Sequence, residues 1–333
     1  MSLLALLASL AAQASAPPLK AEPIIDMHFH AYGADAMGPP GSKICAPYGA
    51  WPTRDPSKSV GDYLVRFTVA PNCRRSYAGP ATDDALRRAN VLKLRERNIT
   101  AVASGPASHV QALLEAAPEH VIPALSFGDG TPPTIQELRR LHGNGLLEVI
   151  GELTFQYAGI SPDDPRIAPY YALAEELDVP VAIHVGPGPP GISYFGAPGY
   201  RMRSSNPLAL EEVLIRHPKL RLYVMHAGWP MGDEMVALLY AHPQLYVDTG
   251  VIDYAFPRAE FHAYLKRLVD AGFAERIMFG SDQMIWTAAV DAAIEGIETA
   301  DFLSPAQKRD ILYNNAARFL RLSPEEMARH RAR

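Results

Sequence analysis

The chain is short of cysteine, of long apolar runs and of excess positive charge, and each shortage removes a class of function. Its two cysteines, Cys45 and Cys73, lie in neither a C-x-x-C nor a zinc-finger spacing. No run of eighteen apolar residues exists, so no membrane span is expected in the mature chain. A formal charge of -5 leaves no electrostatic footprint for nucleic acid. There is also no G-x-S-x-G elbow and no P-loop, which removes the commonest serine-nucleophile and nucleotide signatures. What remains, with 48% hydrophobic and 20% charged residues in 333, is the composition of a globular protein with room for a large core.

The first sixteen residues, MSLLALLASLAAQASA, differ from the rest. Their apolar run from Leu3 to Ala12 followed by small residues matches the h-region and A-x-A site of a secretory signal, although the n-region carries no Lys or Arg. Residues 1–16 are therefore expected to be a signal peptide, and the protein periplasmic or secreted. The alternative is an N-terminal helix packed on a cytoplasmic protein. In an oxidising compartment Cys45 and Cys73 are expected to pair, worth roughly 3 kcal/mol in the chain-entropy model. Otherwise they are two unrelated thiols.

Short apolar, β-branched runs alternate with helical patterns along the chain, the signature of βαβ units and a parallel sheet. Eight runs are expected as strands: 23–30, 99–105, 121–128, 146–155, 179–186, 220–228, 245–250 and 276–281. Helical periodicity fills the intervals, at 82–96, 107–117, 134–142, 168–177, 207–216, 232–242, 259–271 and 287–300. Eight strands each followed by a helix is the count of the (β/α)8 TIM barrel, expected over residues 22–322 with 323–333 as a C-terminal tail. A plain barrel needs about 250 residues. The surplus lies in 31–81 and 187–206, rich in Gly, Pro and aromatics, after the first and fifth strands. Both are expected as lid loops, the first without helical or alternating periodicity.

Residues that bind metals or protons recur where these runs end. In IIDMHFH, a period of two places Asp26, His28 and His30 on one face. Glu152 lies in the fourth run, His184 and His226 close the fifth and sixth, and Asp282 follows the eighth. An H-x-H pair alone is a weak signal, satisfied equally by a polar pair in the core. The set is stronger, because charged and imidazole groups at the ends of buried strands are costly unless paired or bound to metal. The C-terminal ends of barrel strands all open on one mouth, so one ion can gather them. By contrast His217 and His242 precede strands and read as turn residues.

The H-x-H on the first strand, the later His and Asp, the MHAG and FGSD contexts and the segment ILYNNAARFLRL together resemble the amidohydrolase superfamily. The likeness covers nearly the whole mature chain and is nearest to the branch that includes aminocarboxymuconate-semialdehyde decarboxylase. It implies His28, His30, His184 and Asp282 as ligands of a divalent ion, with Zn2+ expected, and His226 as base or carbonyl polariser. Asp282 doubles as proton shuttle. Glu152 either bridges a second ion or supports a ligand from behind; one ion is favoured.

The reaction implied is metal-dependent hydrolysis of an ester, lactone or amide of a small substrate, with or without a carboxylate. Decarboxylation or hydration of an unsaturated carboxylate is the alternative, and a metal-free binding protein on the same barrel is the third. Arg201, Arg203, Tyr194 and Trp286 are the expected substrate contacts, arginine for a carboxylate and aromatics for a flat ring. Nucleic acid and membrane are not expected partners; a homodimer is possible.

Overall fold

The structure, a computed structural model, describes residues 21–128 and 130–333. The expected signal peptide lies outside the described residues. Eight parallel strands form the sheet: β1 (Ile24–His30), β2 (Ile99–Ser104), β3 (Val121–Phe127), β4 (Val149–Leu153), β5 (Val181–Ile183), β6 (Leu222–Val224), β7 (Tyr246–Asp248) and β8 (Ile277–Met278). Each pairs with the next in sequence. The ring closes where Met27 N–H donates to the Phe279 carbonyl at 2.9 Å and Asp282 N–H to the His28 carbonyl at 2.6 Å. This is a TIM barrel.

Eight helices follow the strands: α1 (Asp83–Glu96), α2 (Ala107–Ala116), α3 (Ile135–Gly143), α4 (Ala168–Leu177), α5 (Glu211–Arg216), α6 (Gly232–Ala241), α7 (Arg258–Asp270) and α8 (Ala289–Glu298). Their starts are written locally. Thr82 caps α1 by accepting the Ala85 N–H, and Thr134 with Glu137 forms a reciprocal capping box on α3.

Two buried layers result. Ile25, Met27, Val102, Ala124, Val149, Ala182, Tyr223 and Met278 fill the barrel's inside, while Phe29, Ile99, Ile150, Val181, Leu222 and Val247 pack with the helices. Tyr313, Ala316, Ala317 and Phe319 join the inner layer and close its lower end, so the barrel is a packed plug and not a pore.

The strands are shorter than the apolar runs, because the runs include the residues that turn out of the barrel's upper rim. Three further differences matter. An irregularity in the β1–β2 register between Asp26 and Phe29 breaks the period of two. Ile25 and Met27 belong to the inner layer, so Asp26 between them faces away from His28 and His30; its carboxylate accepts the N–H groups of His28 (3.0 Å) and Ser281 (2.9 Å). The expected tail is not loose: Pro324–Ala332 is a helix with a Ser323–Glu326 capping box, and its buried His330 meets Tyr313 Oη at 3.2 Å.

The third difference is in the first insertion, which carries a short helix (Val60–Leu64), a π turn (Val65–Val69) and a two-stranded ribbon of Lys43–Cys45 against Ser76–Ala78. A helix of one or two turns shows no readable period. Cys45 and Cys73 are disulfide-bonded there, as expected for the oxidising case. The two insertions meet: Tyr63 Oη donates to the Pro190 carbonyl at 2.6 Å, and the Arg54 guanidinium sits 5.2 Å from the Tyr194 ring centre.

Candidate metal centre

Above the inner plug, β1 delivers His28 and His30, β4 delivers Glu152, and the turns after β5, β6 and β8 deliver His184, His226 and Asp282. All six side chains are buried. Asp282 Oδ1 lies 2.9 Å from His30 Nε2 and 3.6 Å from His28 Nε2. Glu152 faces two ways, with Oε2 3.6 Å from His30 Nε2 and Oε1 3.9 Å from His184 Nε2. Three overlapping groups each bring their ligand atoms within 4.8 Å of one another: His28, His226 and Asp282; His28, His30 and Glu152; Glu152, His184 and His226. Glu152 thus stands between the histidines.

The imidazoles are held from behind. His28 Nδ1 lies 3.2 Å from Asp248 Oδ2, His30 Nδ1 3.1 Å from Ser104 Oγ, His184 Nδ1 2.7 Å from Gln156 Oε1, and His226 Nδ1 2.9 Å from the Gly250 carbonyl. A carbonyl only accepts, so His226 carries its proton on Nδ1. The Gln156 amide nitrogen donates to the Gly186 carbonyl (3.1 Å) and contacts Ser205 Oγ, which turns its oxygen to His184 and fixes the same tautomer there. Every inward nitrogen is therefore Nε2. Those of His28 and His226 are buried without a hydrogen-bond partner among the described residues. Unpartnered imidazole nitrogens are costly away from water, and metal ligation is a common reason for tolerating them.

The electrostatics agree. Burial pushes His28 down, but the Asp282 and Asp248 carboxylates outweigh it and raise its pKa to about 10. Burial pushes Asp282 up, yet His28 and His30 hold its carboxyl well below the usual range. His184 is held neutral by burial and by the neighbouring His226. The cluster favours a positive charge at its centre while keeping a neutral imidazole and an ionised carboxylate as donors, which are the protonation states a divalent ion requires. The residues present fit such an ion.

Two local devices make the crowding possible. His226 (φ 56°) and Asp282 (φ 48°) lie in the left-handed region, an unfavourable conformation for non-glycine residues that concentrates at functional sites. Glycines line the rear: a Cβ on Gly280 would stand 2.6 Å from the His28 Cβ, and one on Gly186 2.8 Å from the His226 Cβ. Gly280→Ala is expected to cost about 1–3 kcal/mol of overpacking, read as a lower urea midpoint with unchanged slope. An unaltered midpoint would show that His28 has room to move.

The expected substrate contacts are less central. Trp286 is buried, its indole N–H donating to the Ser42 carbonyl at 2.8 Å, so it fastens the first insertion to the rim. Arg201 is exposed and donates to the carbonyls of Pro198 and Tyr200. Arg203 and Tyr194 are exposed. Closer in, Tyr32 stacks on His30 with ring centres 4.3 Å apart, and Tyr157 Oη lies 3.3 Å from His184 Nε2. Gln156, Tyr157 and Asp248 escaped the sequence reading. Asp248 ends an apolar run as the ligands do and was readable by the same sign; Gln156 and Tyr157 lie in a turn with no such pattern.

Several solved structures share the fold. A probable 2-pyrone-4,6-dicarboxylic acid hydrolase from Acinetobacter baumannii is 14% identical, with a TM-score of 0.56 over 90% of this chain and 100% of that one. The 5-carboxyvanillate decarboxylase of Sphingomonas paucimobilis is 17% identical, with a TM-score of 0.55 over 90% and 99%. The 4-oxalomesaconate hydratase of Rhodopseudomonas palustris is 17% identical, with a TM-score of 0.55 over 93% and 99%. No curated protein matches the chain. The model of the Amidohydrolase family matches residues 25–322, and the chain belongs to that family.

Proposed function

We propose that the protein is a metal-dependent hydrolase of an ester, lactone or amide bond in a small molecule, with His28, His30, His184 and Asp282 as ligands. The observation that carries this reading is the set of inward Nε2 atoms, each anchored at Nδ1, around two buried carboxylates. When bound, a divalent ion supplies Lewis-acid chemistry and lowers the pKa of water from 15.7 to about 7.

The chain's own residues divide the remaining work. Asp282, held ionised, is a poor proton acceptor and a good ligand. His226 keeps its proton on Nδ1 against the Gly250 carbonyl and offers a lone pair at Nε2, which suits a base and not a carbonyl polariser. It takes the proton of the attacking water as the water oxygen joins the acyl carbon. It then returns that proton to the departing oxygen or nitrogen as the acyl bond breaks. Tyr157 Oη, beside His184, can donate to substrate oxygen. Export by residues 1–16 belongs to the same proposal and is supported by the Cys45–Cys73 disulfide, a feature of oxidising compartments.

Metal analysis of the gently purified protein is expected to give about one Zn2+ per chain, with activity lost on chelation and restored by Zn2+. No stoichiometric metal, and no response to chelator, would favour a binding protein on the same barrel. Two ions per chain would make Glu152 their bridge. A panel of lactones, esters and unsaturated carboxylates decides the reaction: acid release without CO2 is expected, whereas CO2 release or hydration of an alkene would move the enzyme to the lyases. That outcome is the second reading because similar folds carry both chemistries.

A further inference from the structure

One fully buried carboxylate at this site reaches more than the one imidazole it stands behind. Asp248 closes β7, and its Oδ1 accepts two backbone N–H groups, those of His226 at 3.1 Å and Gly250 at 2.8 Å. The same Oδ1 also lies 3.3 Å from His28 Nδ1, and Oδ2, without a hydrogen-bond partner among the described residues, stands 3.2 Å from that nitrogen. One side chain therefore touches the ring of a proposed ligand, the main chain of the proposed base, and Gly250, whose carbonyl fixes the base's tautomer.

We infer that Asp248 is a positioning residue that sets His28 and His226 together. The inference rests on the metal-dependent reading. Its logic is one of donors and acceptors. A carboxylate only accepts, so His28 must present Nδ1–H to it, leaving the Nε2 lone pair for an ion. The two backbone bonds hold His226 in its left-handed turn, where the chain would otherwise relax. No other described carboxylate bonds both segments, and the space is closed: a Cβ on Gly280 would stand 3.2 Å from Asp248 Cγ.

Asp248→Asn tests this without changing shape. The amide oxygen can still accept both backbone N–H groups, but the NH2 then faces His28 Nδ1. That donor selects the opposite tautomer, with the proton on Nε2 where the ion should sit. The expected result is Zn2+ affinity 10–100-fold weaker by chelator competition, and at saturating Zn2+ a kcat at least tenfold lower with KM little changed. Asp253→Asn is the control, a buried acid whose Oδ2 bonds Thr249 Oγ1 at 3.0 Å and which makes no bond to His28 or His226. It is expected to leave Zn2+ affinity alone whatever it does to the thermal midpoint.

Wild-type affinity and kcat in Asp248→Asn would overturn the inference, and so would equal losses of affinity in both variants, since that marks a general structural effect. If Asp248→Asn does not fold, Asp248→Ser keeps one oxygen for the backbone and is read by the same criteria. A wild-type protein that binds no divalent ion would instead overturn the functional reading itself.

Discussion

Asp282→Asn is expected to lower kcat/KM by at least about 10³-fold, some 4 kcal/mol of transition-state stabilisation. The size follows from its place. Its Oδ1 lies within 2.9–3.6 Å of two inward nitrogens, a position that no second aspartate shares among the described residues. The amide removes a negative charge from a cluster arranged around a central cation, and offers an NH2 where ligand oxygens belong. Zn2+ content after dialysis should fall with activity, because one change removes both charge and ligand. Turnover within tenfold of wild type would remove Asp282 from the ligand set and leave its low pKa as a structural ion pair with His30.

His226→Ala is expected to act differently. Turnover should fall by 10²-fold or more, the ordinary worth of a positioned base, while Zn2+ content stays at the wild-type value. His28, His30, His184 and Asp282 remain, and the groups they form with Glu152 do not all include His226. Loss of metal in this variant would make His226 a ligand and point to the two-ion arrangement bridged by Glu152. The two variants thus separate holding an ion from moving a proton.

Much of this centre was legible in the sequence because a parallel barrel repeats one sentence eight times. Each apolar run ends at the same rim, so a polar residue closing a run marks its own place in space. That rule located His28, His30, Glu152, His184, His226 and Asp282 without any knowledge of contacts. It failed for Asp26, where one irregular step in β1 turned the side chain away. Gln156 and Tyr157 lay beyond it, since they stand in a turn after β4 whose direction depends on tertiary packing. The expected contacts Arg201, Arg203, Tyr194 and Trp286 were chosen by residue type within an insertion or loop, and there type says little about which way a side chain points. A buried indole bonded to Ser42 illustrates the difference.

The solid lower end of the barrel has a kinetic consequence. With Tyr313 and Phe319 sealing the floor, whatever reaches His226 must enter and leave by the same doorway, beneath the two insertions joined by the Tyr63–Pro190 hydrogen bond. Arrival and departure then compete for one passage, and a bulky product still in transit is an obstacle to the next substrate.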